Sequence, residues 1–188
     1  MVQDYIATQG GLGGIGRALL VATSPVLLAP GTADGGADTV FSNAAIGQLI
    51  ATSTVNPISG HVNTNAEIAA GLSRFVELCY QDQPARGAPS AAQVQGVTGF
   101  NLFAPAAVRL AIIGRAFDYR ATLAALSTAD KGRVRVIVPL ADQVLQPANT
   151  GKYWASTGLA VDAVAGEGHL YQYRNAADFA SRLAALAG

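Results

Sequence analysis

The chain has 188 residues, enough for one domain around a single core. Its 12 basic and 12 acidic residues cancel and only 13% of positions are charged, so neither nucleic acid nor an anionic membrane finds the basic field it needs. A single cysteine, Cys79, excludes an internal disulfide and a cysteine-based metal cluster, and no apolar run reaches the ~18 residues of a spanning helix. The first residues, MVQDYIATQ, lack the basic start of a signal peptide, so the expectation is a cytoplasmic protein.

In chain order, Asp4–Thr8 (DYIAT) reads as a short strand running into the glycine-dense turn Gln9–Gly16, then a helix over Arg17–Ala22. Ser24-Pro25 breaks that helix, and Val26–Ala29 is a further apolar strand. Residues 1–34 thus read as strand, turn, helix, strand, the start of a parallel layer. Residues 35–117 read as a mostly helical insertion. In it, Thr64-Asn-Ala-Glu67 forms a capping box before a helix with Ile68, Leu72, Phe75, Val76 and Cys79 on one face. Gln81–Gly99 reads as a connection, Pro105 opens a helix to about Arg115, and Asp118 caps another over Tyr119–Leu126.

Residues 118–188 return to α/β order. Arg133–Leu140 (RVRVIVPL) is a buried strand with Asp142 just past its end. Asn149–Thr157 is a short helix ended by Gly158, and Leu159–Ala165 is the next strand, followed at once by Gly-Glu-Gly-His169. Asn175 caps a closing helix with Phe179, Leu183 and Leu186 on the side that packs on the sheet. Polar residues past the C-terminal ends of neighbouring strands share one crevice, which makes Asp142 and His169 candidates for a site. His61, in a Gly/Asn-rich stretch, reads as a surface residue, Trp154 as a cover for the sheet, and Tyr171 and Tyr173 as packing.

From about Phe117 onward the chain resembles the α/β-hydrolases. "VRVIVPLADQVLQP" is similar to their strand and acid loop, and "VDAVAGEGHLYQYRNAADFASRL" to their histidine loop and closing helix. The resemblance implies a partial α/β-hydrolase fold: parallel strands with helices on both faces and a helical cap over residues 35–117. It implies that Asp142 orients His169 and that His169 is the general base. The family's G-x-S-x-G elbow then falls on Gln9–Gly14, where Gly11 stands in place of the serine. Gly10, Gly11 and Leu12 would line substrate, with the Leu12 amide as an oxyanion donor. The expected function is proton transfer, cyclisation, elimination or hydration of a small or medium apolar substrate by an Asp–His dyad without a serine. No cofactor or metal is required. A strand at 4–8 would have an uncovered edge, so a homo- or hetero-oligomer should cover it.

Alternatives are a non-catalytic hydrolase-like subunit, an inactivated serine hydrolase, and an NAD(P)-binding protein. For the last, Gly11-x-Gly13-x-x-Gly16 fits a dinucleotide fingerprint, and "TQGGLGGIGRAL" resembles the start of a short-chain dehydrogenase.

Overall fold

The computed structural model describes residues 2–27, 40–56, 58–80, 87–102 and 116–187. A three-stranded parallel sheet in the order β1-β4-β5 organises it, built from β1 (Ala18–Val21), β4 (Val134–Pro139) and β5 (Ala160–Val164). Ala18 is in register with Val134, and Val136 with Val161. A second pairing is antiparallel and two residues long, between β2 (Val26–Leu27) and β3 (Phe117–Asp118).

The period-two geometry of β4 sorts its side chains between two cores. Val134, Val136 and Val138 face one side, with Ala18 and Leu20, against Ile6, Leu123, Leu126 and Trp154. Ile137 faces the other, with Leu19 and Val21 of β1 and with Val164, Tyr171 and Phe179. On the first side lie α1 (Val2–Gln9), α5 (Arg120–Ala124) and α7 (Pro147–Ala155). On the second lie α8 (Tyr171–Arg174) and α9 (Ala176–Ala187). The short α6 (Thr128–Lys131) leads into β4, with Ser127 as its N-cap. Helices therefore cover both faces, as a sheet buried on both sides requires.

Between β2 and β3 the described helices are α2 (Asn43–Ala51), α3 (Asn65–Tyr80) and α4 (Ala91–Leu102). The capping box forms as read: the Thr64 amide donates to Glu67 at 2.7 Å and the Glu67 amide to Thr64 Oγ1 at 3.2 Å. The Thr64 amide, then the Thr64 hydroxyl (2.9 Å) and then His61 hold the Glu67 carboxyl below its ordinary pKa. At Gly71 a Cβ would come 3.0 Å from the Ala51 carbonyl, so glycine there lets α3 approach the end of α2.

Several local readings are corrected. Val2–Gln9 is a helix, not a strand, and Ala18–Val21 is a strand, not a helix. Gly10 (φ +66°) ends α1, and the Gly11 amide donates back to the Ile6 carbonyl at 3.2 Å, the closing bond of a Schellman C-cap. A Gly-Gly pair after an apolar segment serves a helix stop as well as an elbow, and the apolar period of Val2–Gln9 is too short to tell them apart. Residues 91–99 of the expected connection belong to α4. Asp118 lies in β3 and α5 is capped from Tyr119 without a side-chain bond, although the Arg120 amide does reach Asp118 at 3.0 Å. Tyr173 is exposed rather than packed. The helix expected from Pro105 to Arg115 lies outside the described residues.

Candidate active site

Two loops at the C-terminal ends of β4 and β5 build the site. The parallel ladder continues past β4, because Leu140 donates to the Val164 carbonyl (2.9 Å) and Ala141 to that of Glu167 (3.0 Å). This stitches the acid loop to the histidine loop one residue before Asp142. Asp142 Oδ1 then accepts the amides of Val144 (2.8 Å) and Leu145 (3.0 Å), an Asx-type turn that gives a buried carboxylate two donors. The loop is pinned from the other side as well. Ser42 donates its amide to the Val144 carbonyl (2.9 Å), and the Gln146 amide donates to that of Val40 (2.8 Å).

Asp142 Oδ2 is left for the histidine and lies 2.9 Å from His169 Nδ1. The Asp142 side chain is 2% exposed and that of His169 23%, so the acid is sealed while the imidazole reaches solvent-accessible space. With Nδ1 paired to a carboxylate, the neutral ring carries its proton on Nδ1 and offers the Nε2 lone pair as a base.

The histidine loop is held from behind. Gly166 (φ +70°) turns the chain after β5, and Asn175 Nδ2 donates to Glu167 Oε1 at 2.7 Å. Leu170 donates to the Cys79 carbonyl at 3.3 Å, which ties the end of α3 to the residue after His169. Tyr171 is fully buried and its hydroxyl donates to Asp178. Burial first, and then Asp178, push that phenol up to about 12. Cys79 is no nucleophile: burial, with the Asp142 charge behind it, pushes its thiol up to about 12.

His169 opens on a cavity of about 280 Å³ with an apolar wall that includes Val26, Leu27, Val40, Phe41 and Leu145. Its polar side includes Gln3 and Asp4 of α1, the latter accepting from the Tyr119 hydroxyl at 2.7 Å, and Thr23 and Ser24 of the turn after β1. Ala22, at the start of that turn, holds φ +47° without being glycine. Local strain of this kind persists where the surroundings over-determine it. Here Trp154 Nε1 donates to the Thr23 carbonyl (2.7 Å) and Gln3 Nε2 to that of Ser24 (2.8 Å). Sequence reasoning misses Gln3, Thr23 and Ser24: they fall outside the strand read at 4–8 and the helix read at 17–22, and Ser24-Pro25 reads only as a helix break.

The structure does not bring Gly10, Gly11 and Leu12 to this site. They precede β1 at the end of the sheet where strands begin, while Asp142 and His169 sit where strands finish. Six residues of β4 separate the two ends, roughly 20 Å at ~3.3 Å per residue. A Cβ on Gly11 would meet Asp130 rather than His169, and Leu12 is buried in the core. The order helix, glycine turn, strand is also the reverse of a nucleophile elbow and of a dinucleotide fingerprint. The turn directs the Ile15 and Gly16 carbonyls at the Arg133 guanidinium, at 2.5 and 2.6 Å, whereas pyrophosphate needs amides. His61 is exposed, 3.3 Å from Glu67, and plays no part in the cavity.

No family model matches the chain, and no curated protein does. Solved structures do. The chain is similar to the esterase RhEst1 from Rhodococcus sp. ECU1013 at 20% identity and a TM-score of 0.70, covering 98% of this chain and 59% of that one. It is also similar to an aryl-esterase candidate from Burkholderia cenocepacia at 12% identity and a TM-score of 0.64, covering 96% and 57%. The fold is thus a partial α/β-hydrolase fold, and the chain spans less than 60% of the length of these two esterases.

Proposed function

We propose that Asp142 and His169 are the acid–base half of an ester-hydrolysing site for an uncharged, small or medium, mainly apolar substrate. The observation that carries this is the 2.9 Å Nδ1–Oδ2 contact of a sealed carboxylate with a histidine that opens on an apolar cavity. Asp142 fixes the tautomer, and His169 Nε2 removes the proton of an attacking hydroxyl and returns it to the leaving alcohol. Among the described residues, Asp142 is the one hydrogen-bond partner of His169. The attacking hydroxyl is therefore assigned to water or to polypeptide other than the described residues. The glycine at position 11 has no bearing on it, since it lies at the far end of the sheet.

Partner strands belong to the same proposal. Among the described residues β1 pairs only with β4, and Ala18 and Ala22 point their amides at that neighbour. By the alternation of a parallel ladder, the amides of Leu19 and Val21 face the other way, toward an added strand. The edge expected at residues 4–8 is thus relocated to β1, and its cover is further polypeptide, from this chain's own protein or from a partner.

The test uses the native assembly that contains this chain, assayed with p-nitrophenyl butyrate and a fluorophosphonate probe, with and without His169→Ala. The expected result is turnover and labelling, both falling at least about 10³-fold in the variant. Turnover indifferent to His169→Ala contradicts the proposal. Turnover that needs His169 without any labelling assigns the attack to water, deprotonated directly by His169.

A further inference from the structure

We propose that the side-chain amide of Gln3 is a substrate-binding donor, set to hold the carbonyl oxygen of a neutral ligand that lies against His169. The assignment rests on the reading of this cavity as the site. Gln3 is only 7% exposed, yet it lines the cavity together with His169. Its carboxamide is oriented by chemistry rather than by choice. The Ser24 carbonyl, 2.8 Å away, can only accept, so the nitrogen must face it. Thr23 Oγ1 then donates to Oε1 at 2.8 Å.

An amide nitrogen has two N–H groups, and Ser24 takes one. Among the described residues no acceptor takes the other. A buried donor left in this state is costly unless a ligand or water completes it. It is also rigid, because the Trp154 bond to Thr23 and the Gln3 bonds hold one turn from two sides. A fixed donor that needs no reorganisation is the kind that acts on developing charge at an oxygen. The donor is neutral and the facing wall, Val26, Leu27, Val40, Phe41 and Leu145, is apolar. That pairing suits an ester, amide or ketone oxygen on an apolar body, and an anionic ligand would lose its hydration without a compensating cation, with Asp4 also in the lining.

The test titrates two rings of one size, cyclopentanone and cyclopentene, into the native assembly that contains this chain while NMR follows the Gln3 amide protons and the His169 ring. Both rings should shift His169. Only the ketone should shift Gln3, and one of its two amide protons far more than the other. Gln3→Glu keeps an acceptor for Thr23 but deletes the donor, and should weaken the ketone up to about tenfold while leaving the alkene unchanged. An unmoved Trp154 indole proton certifies that the turn is intact in the variant; if it moves, the unsubstituted assembly decides alone. A ketone that shifts His169 and neither Gln3 proton overturns the assignment and leaves the site standing. Rings that shift neither residue remove the reading of the cavity itself.

Discussion

The two ends of β4 bear turns of opposite polarity. Where the strand begins, the Gly-rich turn gives the carbonyls of Ile15 and Gly16 to Arg133, which also reaches Asp130 at 3.1 Å. Where it ends, the amides of Val144 and Leu145 converge on Asp142. The first end closes on a cation the protein supplies, and every strong group there is spent on structure. The second holds a buried anion with one oxygen for His169, whose other nitrogen stays available. The lesson is that a dense cluster of unusual residues marks a site only when some bonding capacity is left over.

That contrast can be broken by substitution. Asp142→Asn should have the largest effect. The amide oxygen can still accept from Val144 and Leu145, but an N–H now meets Nδ1 and forces the wrong tautomer. Activity of the complete assembly should fall on the order of 10⁴-fold, read as kcat/KM, with little change in Tm. A drop below tenfold would mean that the carboxylate is structural, like Arg133 at the other end.

Next in size is an alkaline effect at the site end. The Tyr171 phenol is raised to about 12 against an unfolded value near 10, so the folded state keeps its proton longer. Its stability contribution is complete below pH 10 and is lost as pH rises from 10 to 12, on the order of 2 kcal/mol. Denaturant unfolding at pH 8 and 11.5 should show this loss, and Tyr171→Phe should reduce it.

Arg133→Met should cost about 1–2 kcal/mol of stability, since partly exposed bonds to a charged donor are lost, while activity per folded molecule holds. A selective loss of activity would erase the distinction between the two ends. Smallest of all is Gly11→Ser: the new side chain meets Asp130 Oδ2, with its Cβ 3.3 Å away, and gains no fluorophosphonate reactivity. Labelling of that serine would restore the elbow reading and contradict the fold.

The sequence was legible where several signals agree. The run Val134–Pro139 is apolar, bounded by charge before and turn residues after, and no helix competes for six residues so rich in valine. Gly158 and Asn175 then punctuate the rest, each with a physical role that holds: a positive φ after a helix and a helix cap. The N-terminal stretch was misread because glycines serve helix ends, elbows and phosphate loops alike. Val2–Gln9 and Ala18–Val21 are also too short for periodicity to choose between helix and strand. Gln3 was illegible for another reason. Its partners, Thr23 and Ser24, lie about twenty positions away, and only the turn after β1 brings them together.

The central claim is that Asp142 holds His169 as a base facing the cavity. Its most direct measurement is the histidine tautomer, read from long-range ¹H–¹⁵N correlations, with exposed His61 as the internal reference. Neutral His169 should carry its proton on Nδ1, with a strongly deshielded proton that disappears in Asp142→Ala. A proton on Nε2, or a ring indistinguishable from His61, would contradict it.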